Sequence, residues 1–209
     1  MGEYWNHNTA YHRWILNIVI QRRSGDVLDV GCGDGLLLQR LAPLCTSATG
    51  LESDPAMLEL ARARLADVPG VKLVEGCFTG YEPRTDRFDV IVFVASLHHM
   101  EAQDALAKAR DLLRPGGDLL VVGLAADVTL RDRVRAALLA PLVRLASFAH
   151  RESRGAPGAS IARPREGLAE LRETAGAVLP GVRIRRGLYY RYLLRWTKPT
   201  EGAKPPGFP

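Results

Sequence analysis

The stretch Asp29-Val30-Gly31-Cys32-Gly33-Asp34-Gly35 sets three glycines on alternate residues, between an apolar run and a helical one. Asp26 to Val30 reads as a short strand entering this turn. Leu36, Leu37, Arg40 and Leu41 leave it at helical spacing. Glycine allows a tight turn and lets a ligand approach the backbone closely. The free N–H groups and positive dipole end of the helix that follows suit an anionic group. A dinucleotide fingerprint needs G-x-G-x-x-G/A, but its last place here holds Leu36. Ser47 to Leu51 reads as a second strand that ends at Glu52. In doubly wound folds an acidic residue there, about 20 residues beyond the glycine turn, accepts hydrogen bonds from ribose hydroxyls. The two features together point to an adenosine-type ligand at the carboxyl edge of a sheet.

The rest of the chain alternates in the same way. Residues 8–22 read as an amphipathic helix carrying Tyr11, Trp14, Ile15, Ile18 and Val19. Pro55 opens a helix behind the N-cap candidates Ser53 and Asp54. Val71 to Val74 is a third strand. Phe88 to Val94 is an apolar run suited to burial on both faces. Glu101 to Leu113 is a helix, Arg114-Pro115-Gly116-Gly117 a turn, and Leu119 to Leu124 a further strand. Strands alternating with helices imply crossover connections and a parallel sheet. Thr129 to His150 reads as a long helix with an interior Pro141, residues 151–164 as a mobile loop, and Arg165 to Ala177 as a helix. Val182 to Arg186 and Leu188 to Trp196 read as two strands around Gly187. The tail Lys198 to Pro209 carries four prolines and is expected to pack on nothing.

In order along the chain, VLDVGCGDG, GLESDPAMLELA, FDVIVFVASLHHM and LLRPGGDLLVV resemble class I S-adenosylmethionine-dependent methyltransferases. The C-terminal strand pair resembles the antiparallel hairpin that closes the sheet of that family. The resemblance implies an α/β, doubly wound, mostly parallel seven-stranded sheet with an antiparallel last strand and helices on both faces. An N-terminal helix and a helical cover after the fifth strand complete it. Residues 1–197 would form a single domain, with 126–164 as the cover on the substrate side and 198–209 as a flexible tail.

The implied cofactor is S-adenosylmethionine, leaving as S-adenosylhomocysteine. Gly31, Gly33 and Gly35, with Cys32 between them, would line its methionine part, with Asp29 near the amino group. Glu52 would hold the ribose, with Ser53 and Met57 flanking ribose and adenine. Cys77 and Phe78 take the adenine-reading places. Cys77 departs from the acidic or polar residue usual there, and Thr79 is the alternative. Val94, Ala95 and Ser96 would meet the cofactor at the end of the fourth strand. Tyr4, His7 and Tyr11, at helical spacing, are candidates to cap it or to touch the acceptor; core packing or plain exposure is the alternative. Asp34 reads as an N-cap and Cys32 as a small packed residue, not a nucleophile.

A sulfonium methyl is already electrophilic, so the protein must hold an acceptor in line and exclude water. His98 and His99 follow the fourth strand and can take a proton from a hydroxyl or ammonium acceptor; the alternative is that they only shape the pocket. The expected activity is methylation of O, N or C of a small molecule. Alternatives are a cofactor-binding partner or regulatory subunit without turnover, and a methyltransferase acting on a lipophilic, membrane-associated acceptor.

Composition narrows this further. The net charge of +5 comes with arginines spread along the chain, so nucleic acid is not expected. Three cysteines, Cys32, Cys45 and Cys77, form no CxxC pair, and no metal site is expected. Sparse thiols and the absence of a signal-peptide pattern fit a cytoplasmic protein. Sequence alone names neither the acceptor nor the oligomeric state.

Overall fold

The computed structural model describes residues 4–22, 25–83, 87–124, 167–188 and 191–200. The expected cover at 126–164, and the tail beyond residue 200, lie outside the described residues.

Among the described residues five α-helices and seven strands follow one another: α1 His12–Arg22, β1 Asp26–Val30, α2 Leu36–Leu41, β2 Ser47–Glu52, α3 Pro55–Leu65, β3 Val71–Glu75, β4 Phe88–Val94, α4 Ala102–Leu112, β5 Leu113–Leu124, α5 Leu168–Val178, β6 Arg183–Arg186 and β7 Arg191–Thr197. The strands form one sheet in the order β3-β2-β1-β4-β5-β7-β6. Pairs from β3 to β5 are parallel, and β7 runs antiparallel to both β5 and β6. Strand order reverses between β1 and β4, which opens a crevice at their carboxyl ends.

The residues of β4 show why both faces carry helices. Its side chains alternate across the sheet. Ile91 and Phe93 join Leu28, Val30, Leu106, Ala109, Leu171 and Ala175 in the core under α4 and α5. Val90 and Val92 join Val27, Ile15, Val19 and Leu37 in the core under α1 and α2. A smaller cluster of Cys32, Leu38, Ala48, Ala61 and Leu65 seats α3.

Three local expectations are corrected. The helix expected over 8–22 begins with a 3-10 turn, Thr9–Tyr11, and is α-helical from His12. Asn6 accounts for this start: its side-chain oxygen accepts the N–H groups of Asn8 and Thr9. Arg114-Pro115-Gly116-Gly117 is no separate turn but lies within β5, where the register with β4 shifts between Phe88 and Val90. Gly116 has φ +83, and a Cβ at Gly117 would stand 2.9 Å from the Asp89 carbonyl oxygen, so this bulge requires glycine. Lys198 is also not loose. Its backbone pairs with Gly116 and Gly117, and its amine donates to the carbonyls of Arg110 and Leu113 at the end of α4.

Asp34, expected as an N-cap, has a larger task. Gly35 occupies the cap position of α2, but the Asp34 carboxylate still accepts the N–H of Leu36, the first residue of that helix, at 3.3 Å, and it also accepts Arg64 Nη2 at 2.7 Å, with both side chains buried. Arg64 Nε donates to the Asp34 carbonyl, so the pair ties α3 to the glycine turn. Breaking a buried pair from one side leaves an uncompensated charge and costs about 3–5 kcal/mol. Arg64→Met should therefore lower stability by that amount in urea unfolding. A loss below about 1 kcal/mol would mean that water already reaches Asp34.

Candidate functional site

The carboxyl ends of β1, β2, β4 and β5 open into a cavity of about 590 Å³. Its floor is the glycine turn. Gly31 and Cys32 donate their N–H groups to the Leu51 carbonyl, at 2.8 and 3.1 Å. Gly33 donates its N–H to Glu52 Oε2 at 2.8 Å, while Glu52 Oε1 accepts the N–H groups of Ser53 and Asp54, each at 2.9 Å. The carboxylate thus joins the end of β2 to the turn after β1; Oε1 accepts two N–H groups, and Oε2, which accepts one, keeps a lone pair for a ligand hydroxyl.

Gly31 and Gly33 sit in the left-handed region, with φ +73 and +57. A Cβ on Gly31 would stand 2.6 Å from Ser96 Cβ, so the turn packs directly on the residue that follows Ala95. Gly35 is a correction. It does not line the cavity, and a Cβ there would stand 2.7 Å from Leu65 Cδ1 and 3.3 Å from Ala61 Cβ. That glycine lets α3 approach α2 and faces helix, not ligand.

Asp29 is the unusual member. It lies at the cavity wall, 1% exposed, and its Oδ1 has no hydrogen-bond partner among the described residues. Burial first, and the Glu52 charge second, push its carboxyl up to about 7. A buried unpaired carboxylate is costly unless a cation meets it. A ligand with an ammonium at Asp29 and hydroxyls at Glu52 fits these groups, and S-adenosylmethionine carries both.

Ser53, Met57, Cys77 and Phe78 also line the cavity. Met57 follows the N-cap Asp54, whose side chain accepts the N–H groups of Ala56 and Met57. The Phe78 ring packs edge-on against Phe93 at 5.3 Å. The Cys77 thiol is exposed, and Thr79 is absent from the lining, its carbonyl accepting from Lys108 Nζ instead. Cys32 is packed as expected, and burial pushes its thiol up, away from the reactive thiolate form.

Val94, Ala95 and Ser96 line the wall at the end of β4. Ala95 holds φ +54, a conformation that costs a non-glycine residue about 1–2 kcal/mol. The next turn, Leu97–His99, brings His98 and His99 to the cavity, with ring centroids 4.2 Å apart.

The N-terminal segment closes another side. Tyr4 lines the cavity and donates its hydroxyl to Asp34 Oδ1, but His7 and Tyr11 do not line it. His7 packs on Trp5. Tyr11 is corrected from cofactor contact to a support: its hydroxyl donates to the Leu188 carbonyl at 2.7 Å, and its ring packs on the α1 core. Asn6, Asn8, Thr9, His12 and Arg191 line the cavity and were not legible as site residues. Burial, then the Arg40 charge, push His12 down to about 3, so it stays neutral. Its Nδ1 stands 2.9 Å from Arg40 Nη1. A guanidinium only donates, so Nδ1 accepts and the ring proton is assigned to Nε2.

Among the described residues no three His, Cys, Asp or Glu side chains gather to hold a metal, and no helix is long and apolar enough to cross a membrane.

A doubly wound sheet with its cavity at the switch point defines a nucleotide-type ligand-binding fold. Residues 27–117 match the family described as "Methyltransferase domain". An uncharacterized methyltransferase of Mycobacterium tuberculosis is 36% identical over 201 residues, 95% of this chain and 100% of the relative. One of Anoxybacillus flavithermus is 32% identical over 109 residues, covering 51% of this chain and 50% of its own length. The SAM-bound amino pentose methyltransferase of Micromonospora echinaspora, involved in calicheamicin biosynthesis, shares the fold at TM-score 0.63 and 19% identity, over 95% of this chain and 99% of that one. The N-methyltransferase NodS of Bradyrhizobium japonicum, in complex with S-adenosyl-l-homocysteine, does so at TM-score 0.63 and 18% identity, over 93% and 89%. The chain belongs to the methyltransferase family.

The raised Asp29 carboxyl has a signed consequence for stability. Between the ordinary value near 3.8 and about 7, the folded state keeps a proton that the unfolded chain releases. Its contribution to stability therefore falls as pH rises through that window. Asp29→Asn should gain on the parent steadily from pH 4 to pH 7 in thermal melts without ligand. A difference independent of pH would show that Asp29 titrates normally.

Proposed function

We propose that this methyltransferase uses S-adenosylmethionine as its donor and methylates an oxygen or nitrogen of a small molecule. The observation that carries the donor assignment is the buried, unpartnered Oδ1 of Asp29 beside the tethered carboxylate of Glu52. Asp29 pairs with the ammonium of the methionine part, which stabilises the carboxylate against its burial. Glu52 accepts a ribose hydroxyl on the Oε2 lone pair that the backbone leaves open. Gly31 and Gly33 admit the methionine chain close to the backbone. Met57, Cys77 and Phe78 border the adenine, with Ser53 at the ribose edge. Val94, Ala95 and Ser96 form the wall nearest the sulfur.

When bound, the cofactor supplies a sulfonium methyl that needs only an in-line nucleophile. The protein's part is then orientation, exclusion of water and proton removal. His98 and His99 stand where β4 ends, and one of them takes the proton of an acceptor hydroxyl or ammonium as the new bond forms.

Calorimetry should detect binding of S-adenosylhomocysteine and none of NADH. Glu52→Ala should cost about 1.5–3 kcal/mol of that affinity, the range for hydrogen bonds to a charged group. NADH binding without a response to S-adenosylhomocysteine would end the donor assignment. Once an acceptor is in hand, loss of the base should lower kcat about 10²–10⁴-fold and remove the acid limb of the pH profile. If His98→Ala and His99→Ala both keep the parent profile, neither imidazole is the base.

A further inference from the structure

The cavity wall away from the glycine turn contains a basic group that the donor assignment leaves unused. Arg191, the first residue of β7, pairs with Leu124, the last of β5, and both line the cavity. Its guanidinium is held in one orientation by Asn8, whose side-chain oxygen accepts Nε at 3.0 Å and Nη2 at 2.8 Å. Asn8 is itself fixed, because its N–H donates to Asn6 Oδ1 at 2.9 Å. From the other side the Gly187 N–H donates to the Arg191 carbonyl at 2.7 Å, and Tyr11 pins the neighbouring turn through Leu188.

A planar cation whose Nε and Nη2 are both held by one asparagine oxygen, on a strand start whose backbone is itself tied to Gly187, is oriented before a ligand arrives. The asparagine orients the fork without adding charge, and a guanidinium cannot shed its proton to relieve burial. Burial works against the charged form of Arg191, and an anion beside the guanidinium favours it. Arg is the side chain best shaped for a carboxylate, through parallel N–H bonds.

Position separates this group from the atom that reacts. Adjacent strands lie about 4.8 Å apart, so β7 stands two strands, or about 10 Å, beyond β4. The imidazoles sit at the end of β4 and Arg191 at the start of β7, with Leu124 between them. A carboxylate held at Arg191 would leave its nucleophile several bonds away, beside His98 and His99.

We propose that Arg191, oriented by Asn8, recognises a carboxylate on the methyl acceptor, so that the enzyme methylates small carboxylic acids at an oxygen or nitrogen remote from the acid group. This rests on the donor assignment above. The new bond joins that nucleophile to the methyl carbon as the methyl–sulfur bond breaks. The electron pair leaves with sulfur, the nucleophile's proton goes to an imidazole, and the carboxylate is unchanged. Arg191 acts here as a specificity residue.

The test uses the full chain saturated with S-adenosylhomocysteine, and benzoate, benzamide and phenyl phosphate as probes. Thermal melting should show stabilisation by millimolar benzoate and none by benzamide. Arg191→Gln, which can still bond Asn8, should weaken benzoate at least about tenfold, as expected for a lost charge-assisted bond, with S-adenosylhomocysteine affinity unchanged. Equal responses to benzoate and benzamide, no response to benzoate, or preference for phenyl phosphate would overturn the proposal. Weakened S-adenosylhomocysteine binding in Arg191→Gln would overturn it too, placing the arginine on the cofactor's own carboxylate. Failure of the parent to bind S-adenosylhomocysteine at all would sink the donor assignment instead, so the two failures are distinct.

Discussion

The cavity depends on one carboxylate bridging two strand ends. Glu52 leaves β2 and accepts the Gly33 N–H from the turn after β1, and it also accepts the N–H groups of Ser53 and Asp54 that lead into α3. Three backbone donors on one carboxylate fix the glycine turn, the side chain and the start of the next helix relative to one another. Each such bond adds little by itself, but a buried donor left unmade costs more. The arrangement therefore resists piecemeal loosening. It also sets a like charge near Asp29, which adds to burial in keeping that carboxyl protonated near neutrality. The same bridge that shapes the floor of the cavity thus tunes the group best placed to meet an ammonium.

Much of this was legible in the chain. β4 reads as a strand because FDVIVFV is apolar at both parities, and both parities are indeed covered by helices. The place of Glu52 at the cavity was legible because it follows from strand length and a fixed distance beyond the turn. Gly35 misled because two demands select the same residue: a ligand approaching closely and a helix approaching closely both exclude a Cβ. The bulge at Gly116 and Gly117 looked like a turn because its partner, Lys198, lies beyond the last strand and is invisible to local patterns. His12 and Arg191 had no local signal at all. One sits on an apolar helix face and the other among arginines, and only the tertiary arrangement turns them toward the cavity.

The N-terminal segment shows how short polar residues act at a distance. Asn6 starts the 3-10 turn, Thr9 Oγ1 accepts the Asn6 N–H, and Tyr4 reaches Asp34. Arg64 lies over the Tyr4 ring at 5.9 Å, so the ion pair that ties α3 to the turn also seats the segment. Its grip is polar and directional, unlike the apolar packing beneath α1, and this suits a piece of chain that borders a ligand.

The bond between Asn8 and Arg191 spans 183 residues. Joining points so far apart requires closing a long loop, an entropic cost that grows slowly with length but must be met before the contact contributes anything. The floor comes from the first half of the chain, and this wall joins that half to the C-terminal strand pair. Because the strands form one sheet with shared cores and domains generally fold as units, Asn8 and Arg191 meet only when the sheet is assembled. The geometry of that wall is therefore a property of the whole assembled sheet, set by its two sequence extremes and by no local segment.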